Sequence, residues 1–219
     1  MKIEVFSDVL CPWCYIGKRR IRSAVESFAH RDRVEVVWRS FELDPAAGRV
    51  PGVTAAEAME QWMDPAAVPA RIRLIKDHGR QEGLELNLER SRPVNTFDAH
   101  RLSHFAAGRG RADEMMERLF RAYHTEALDV ADREVLVRLA AEAGLDADEA
   151  RALLAGDGHA DDVRADERRA RALGVSGVPS VVVDGLPPVS GVLPPAELVG
   201  HFERALARAD ARPGPSARG

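Results

Sequence analysis

Both cysteines of this 219-residue chain lie in one stretch, Cys11-Pro12-Trp13-Cys14. Thiols separated by two residues come close across a first helical turn and can exchange a disulfide. Pro12 suits the first position of a helix. A helix starting there turns its free amides and positive dipole end toward Cys11, which favours thiolate over thiol. Cys11 is then the nucleophile and Cys14 the resolving thiol. A structural zinc site needs about four ligands, usually with a second Cys or His pair, and the chain has no second cysteine pair. A structural disulfide closing so short a loop would restrain little unfolded-chain entropy. Redox chemistry without a metal is the reading that uses both thiols.

The elements around the pair must hold it at a helix start. Lys2-Ile3-Glu4-Val5-Phe6 alternates polar and apolar residues and reads as a strand, and Ser7 to Leu10 turns into the motif. Ile16, Ile21, Ala24, Val25 and Phe28 continue at helical spacing, with Lys18, Arg19, Arg20 and Arg22 read as a solvated face. Val34 to Trp38 has the composition of a second strand, so strand, helix and strand form a parallel crossover. Phe41 to Pro45 leaves the sheet, and the chain to Val53 reads as a linker. From Thr54 to Leu173 the periods are helical, opened by a Thr54/Glu57 capping box and punctuated by Gly, Pro and Asp. Ser180 to Val183, an Asp184-Gly185 turn and a short strand near Pro188 to Ser190 make a hairpin. Pro194-Pro195 opens a final helix, and the chain from Ala209 reads as frayed.

Composition narrows the function classes. A net charge of -4 gives no basic footprint for nucleic acid or an anionic membrane. The skew of 28 Arg to 3 Lys, with many alanines, suggests a high-GC bacterial genome. No apolar run approaches the roughly 18 residues of a membrane span. A strand begins within two residues of Met1, leaving no room for a signal peptide, so the expected compartment is the cytoplasm. There a disulfide is more often transient than structural.

A strand, a cysteine-bearing helix and a strand, then much later Val178-Pro179-Ser180, a hairpin and a helix, is the element order of a thioredoxin fold. The chain resembles the DsbA-like thioredoxin superfamily, and within it the FrnE branch. The resemblance lies in Phe6-Ser7-Asp8-Val9-Leu10-Cys11-Pro12-Trp13-Cys14-Tyr15-Ile16-Gly17, Phe41-Glu42-Leu43-Asp44-Pro45, Asn95 to Leu102 and Val175 to Ser180. It implies an α/β thioredoxin fold with an all-helical domain inserted between the second and third strands. The boundaries are 1–50 and 173–210 for the two parts of the thioredoxin domain and 51–172 for the insertion. Residues 211–219 are read as a disordered tail.

The resemblance further implies a cis-proline loop at Val178-Pro179, facing the cysteines and presenting the backbone of Val178 to an extended substrate by strand addition. Trp13 either offers an apolar face to substrate or packs on the insert. Asp8 has a hydrogen-bonding role in the turn. Asn95 either contacts substrate or glutathione, or caps the helix that follows. His100 and His104 are packing or surface histidines. The implied activity is that of a thiol-disulfide oxidoreductase acting on a thiol- or disulfide-containing protein, peptide or small thiol. It needs no tightly bound cofactor, and glutathione is an available co-substrate. Two rivals stand beside it. One is a glutathione-dependent isomerase or transferase akin to the 2-hydroxychromene-2-carboxylate isomerases and kappa-type transferases, acting on a small molecule such as a polyketide. The other is a non-catalytic binding module.

Overall fold

Residues 1–211 are described by the computed structural model. Four strands form one mixed sheet in the order β2-β1-β3-β4, from β1 (Lys2–Ser7), β2 (Glu35–Ser40), β3 (Ser180–Val183) and β4 (Val189–Ser190). β1 runs parallel to β2 and antiparallel to β3, so Val5 has Trp38 on one side and Val181 on the other. The crossover between β1 and β2 is α1 (Pro12–Ser27). Ile3, Val5, Val181 and Val183 point to one face, where Ile21, Ala24 and Phe28 meet Leu198 and Phe202 of α9 (Pro195–Asp210). Phe6 and Val182 point to the other, against Ala170 of α8 (Ala160–Ala172) and Val175. α9 continues through Asp210, past the point where the sequence suggested fraying. The tail expected at 211–219 lies, beyond Ala211, outside the described residues.

β1 forms where its alternation places a strand, but both of its faces are covered. Alternation predicts a half-buried strand, yet Glu4 is only 3% exposed. Its carboxylate is held by Arg39 of β2 and Arg169 of α8, each donating from Nε to Oε1 at 2.8 Å. A buried charge persists only with such partners.

Between β2 and β3 lie α2 (Ala55–Met59), α3 (Val68–Gln81), α4 (Phe97–Ala107), α5 (Ala112–His124), α6 (Arg133–Glu142), α7 (Ala147–Ala155) and α8. The capping box forms: the Glu57 amide donates to Thr54 Oγ1 at 3.2 Å, and the Thr54 amide to Glu57 Oε2 at 2.7 Å. Leu102, Leu119, Leu136 and Leu139 build one core among α4 to α7. A second core joins Ile72 and Ile75 of α3, Leu84, Leu86 and Leu88, and Phe120 of α5 to Cys14, Tyr15 and Ile16. The first turn of α1 is thus part of the helical segment's own core.

The same docking overturns the reading of Lys18, Arg19 and Arg20 as a solvated face. Lys18 is buried, with Nζ 2.7 Å from Asp113 and 3.4 Å from Glu117 of α5. Arg19 pairs with Glu117 at 2.5 Å, Tyr15 donates its hydroxyl proton to Glu117 at 2.8 Å, and Arg20 reaches Glu82 at 2.8 Å. Charged residues at helical spacing look alike whether they face water or a second charged helix. Burial acts to raise the Glu117 carboxyl, but Arg19, Tyr15 and Lys18 outweigh it and hold it below its ordinary value. Replacing Glu117 by Gln is expected to cost about 2 kcal/mol in urea unfolding at pH 7. Because the folded pKa is depressed, that difference is full above about pH 4.3 and fades as pH falls through the folded value. An undiminished difference at pH 3 would refute the assignment.

Candidate active site

Cys11 caps the N-terminus of α1 in an extended conformation, φ -83° and ψ 111°, and Pro12 follows in the first turn. The Cys11 amide donates to Asp8 O at 3.1 Å, and the Cys14 amide to Cys11 O at 3.0 Å. Both cysteines are free thiols. Cys11 retains 6% exposure and Cys14 only 1%. Burial pushes the Cys14 thiol well above the ordinary thiol range, the adjoining Cys11 adds to the shift, and the Ser7 hydroxyl and Asp8 backbone offset part of it. One thiol meets the surface and the other stays protonated behind it.

Asp8 supplies the turn with its hydrogen bonds. It is fully buried, and its Oδ2 accepts from the Leu43 amide at 2.7 Å while Oδ1 accepts from the Leu10 amide at 3.3 Å. The chain leaving β2 is thereby tied to the cysteine turn. His100 of α4 places Nε2 3.6 Å from Asp8 Oδ1, too long for a hydrogen bond, and that nitrogen is buried without a partner. His104 instead meets Asp166 at 3.0 Å. Among the described residues no group of three or more His, Cys, Asp or Glu is placed to hold a metal ion.

Val178 and Pro179 arrive from the far end of the sequence. Their peptide bond is cis, and the Cys11 thiol lies 3.6 Å from the Val178 carbonyl, to which it donates. The approach depends on two glycines. A Cβ on Gly17 would lie 3.0 Å from the Pro179 ring and from Gly191 O, and one on Gly191 would lie 2.9 Å from Pro179 Cβ. Side chains there would push the loop off the cysteines.

Of the two alternatives for Trp13, packing on the insert is the one that the contacts show. Trp13 packs between His78, with ring centroids 5.3 Å apart, and Arg71, whose guanidinium carbon lies 5.3 Å from its ring centre. It also lines two clefts. One, of about 520 Å³, runs along Gly174 to Ser180 and β4. The other, of about 720 Å³, opens over Cys11, Pro12 and Trp13 and is walled by the linker and by α2, α3 and α5. Cys11, Cys14, Pro12, Trp13, Val178 and Pro179 are therefore brought together. Asn95 lies outside the wall of either cleft. Its Oδ1 accepts from the Phe97 amide at 3.1 Å, and its Nδ2 donates to Pro45 O at 3.4 Å, which braces the linker from behind.

Several cleft residues escaped the sequence reading. Val50 and Trp62 stay 84% and 67% exposed on its wall, apolar side chains in a stretch read as linker and short helix. Valines in a Gly/Pro-rich linker are the faint signal they left. Arg71 left none, being one arginine among 28. His124 of α5 is buried on the same wall, its Nε2 without a partner. Burial pushes it down to about 4, against the opposing pull of the Val9 and Cys11 backbone and the Asp8 charge, so it is neutral at pH 7.

Comparison with known proteins agrees with this geometry. Residues 2–207 match the family described as the DSBA-like thioredoxin domain. A probable DsbA oxidoreductase from Streptomyces coelicolor superposes with a TM-score of 0.92 at 38% identity, over 100% of this chain and 94% of that one. The uncharacterized protein YwbO of Bacillus subtilis is 30% identical over 149 residues, and the match spans 66% of each protein. Two further structures share the fold at low identity. A 2-hydroxychromene-2-carboxylate isomerase has a TM-score of 0.70 at 13% identity, covering 96% of each chain. The cytosolic disulfide reductase DsbM from Pseudomonas aeruginosa has 0.64 at 19%, covering 95% of this chain and 100% of that one, and a second DsbM structure contains GSH.

The burial of Cys14 has a direct chemical consequence. In a Cys11→Ser variant, Cys14 is expected to react with iodoacetamide at pH 8 at least about tenfold more slowly than an unperturbed thiol, its rate rising only above the ordinary thiol range. Fast alkylation at pH 8 would contradict the geometry.

Proposed function

Because the chain belongs to the DSBA-like thioredoxin domain family, we propose that it is a thiol-disulfide oxidoreductase of that family working through the Cys11/Cys14 dithiol. The observation that carries the reading is the unequal pair, a thiol at the helix start beneath the Val178 carbonyl and a second sealed behind it. Cys11, as thiolate, attacks one sulfur of a substrate disulfide. A Cys11–substrate disulfide forms, and the other substrate sulfur leaves and takes a proton. Cys14 then loses its proton and attacks Cys11 Sγ, releasing the second substrate thiol. The substrate gains two electrons and two protons, and the enzyme is left as the Cys11–Cys14 disulfide. Two equivalents of a thiol such as glutathione restore the dithiol. Run backwards, the same steps oxidise a substrate dithiol.

In this reading Val178 offers its backbone to an extended cysteine-containing segment, Pro179 shapes the loop, and Pro12 and Trp13 form the floor on which the segment rests. Asn95 acts on substrate only indirectly, through the linker it braces. The protein needs no tightly bound cofactor and takes glutathione as co-substrate. The sequence blocks around Cys11, Phe41, Asn95 and Val178 support the FrnE-like branch and, with it, a cytoplasmic location. Among the described residues no helix is long and apolar enough to cross a membrane.

A second reading, glutathione-dependent conversion of an apolar small molecule, is favoured by one observation. The 720 Å³ cleft over Cys11 is of the size that small-ligand sites have. The dithiol separates the two readings, since glutathione-dependent isomerisation has no use for a resolving thiol. Cys11→Ser is expected to abolish insulin reduction and the refolding of scrambled ribonuclease, and Cys14→Ser to accumulate a mixed disulfide visible by mass spectrometry. Full activity in the Cys11 variant would end the proposal, and turnover that survives loss of Cys14 would move it to the second reading.

A further inference from the structure

Arginines withdrawn from solvent in this protein are matched by carboxylates. Arg19, Arg20, Arg39, Arg101 and Arg118 are each ion-paired. Arg71 is half-buried, as are Arg19, Arg20, Arg39 and Arg118, but among the described residues its guanidinium has neither an ion pair nor a hydrogen bond. α3 lays it on Trp13, two residues from Cys11. Ile75 and His78 follow at i+4 and i+7 on the same helical face. Ile75 is buried and His78 contacts Trp13, so the helix cannot turn Arg71 away without giving up both contacts.

Arg71 also lines both clefts that flank Cys11. Among the described residues Asp44 is the one carboxylate on either wall. It is exposed, and its Oδ1 already accepts from the Ala46 amide at 3.0 Å. A molecule entering either cleft therefore meets a partly desolvated cation with no counter-ion. Such a cation gains most from a carboxylate, which it can grip with two parallel N–H donors.

We propose that Arg71 is a specificity-determining residue that binds a carboxylate of the substrate. The site then prefers thiols and disulfides carrying a carboxylate near the reacting sulfur over neutral analogues. The inference rests on Cys11 as the reacting thiol. The carboxylate has two sources, a small acidic thiol of the glutathione type or an acidic group beside a cysteine in a peptide.

Wild type and the Arg71→Gln and Arg71→Lys variants are compared in two arms. In the first, calorimetry measures binding of S-methylglutathione and of its diethyl ester, neither of which can exchange a disulfide. In the second, kcat and KM are measured for two disulfide peptides that differ only in Glu or Gln beside the cysteine. Wild type is expected to prefer the acid roughly tenfold or more in at least one arm, through affinity or KM. Arg71→Gln is expected to bring the ratio to about one, and Arg71→Lys to restore part of it. Preference in the first arm alone assigns the small thiol, and in the second alone the peptide. No preference in wild type in either arm, or a preference that survives in Arg71→Gln, overturns the proposal. Turnover persisting in Cys11→Ser would defeat the oxidoreductase reading instead, and the binding arm would still decide the role of Arg71.

Discussion

A dithiol site asks two neighbouring thiols for opposite properties, one open to a substrate and one withheld until a mixed disulfide has formed. Here the withholding is done by packing. Cys14, Tyr15 and Ile16 are buried against Ile72, Ile75 and Phe120, so the first turn of α1 is gripped by helices that follow it by 50 residues or more. Removal from water keeps the Cys14 thiol protonated, and the same contact leaves Cys11 at the rim. The ion pairs from Lys18 and Arg19 to α5 lock that grip one turn further along. Asp8 closes it from the other end by tying the exit of β2 to the cysteine turn.

Close approach of the cis-proline loop is the second requirement, and it is met by absence of side chains. Gly17 sits in the middle of a helix, where glycine costs about 1 kcal/mol relative to alanine. That cost is offset by letting the Pro179 ring come within 3.0 Å of where a Cβ would stand. Gly191 does the same from the β4 side. Gly17, remote in sequence from Pro179, and Gly191, across the hairpin from it, thus decide whether Val178 can face Cys11 at all.

Local features of the chain were legible because their causes are local. The Cys11–Cys14 spacing, the capping box at Thr54, the Asp184-Gly185 turn and the helical periods of the insert each depend on residues a few positions apart, and each appears where the pattern places it. What could not be read depends on partners far away in the chain. Glu4 looks like the solvent side of an alternating strand until α8 brings Arg169 to it. Lys18 looks solvated until Asp113 arrives from α5. Arg71 is indistinguishable from two dozen other arginines in composition, and among the described residues it lacks the carboxylate partner that Arg19, Arg20, Arg39, Arg101 and Arg118 have.

The division of labour follows from that geometry. On the proposed oxidoreductase reading, the sheet half of the molecule supplies the reacting sulfurs and the Val178 backbone, and neither discriminates among cysteine-containing substrates, because every peptide offers the same backbone and the same thiol. Side-chain variety at the site comes almost wholly from the inserted segment and its linker: Val50 and Trp62 with apolar surface, His78 and Arg71 clamping Trp13, and a neutral His124 beside the cysteine turn. Trp13 is where the two halves meet, held by the insert yet lying between the cysteines. On that reading a substitution on α3 changes which substrates are accepted without touching a sulfur. A substitution in the cis-proline loop changes how every substrate is presented. Selectivity and chemistry are separable here because they reside on different elements that share one tryptophan.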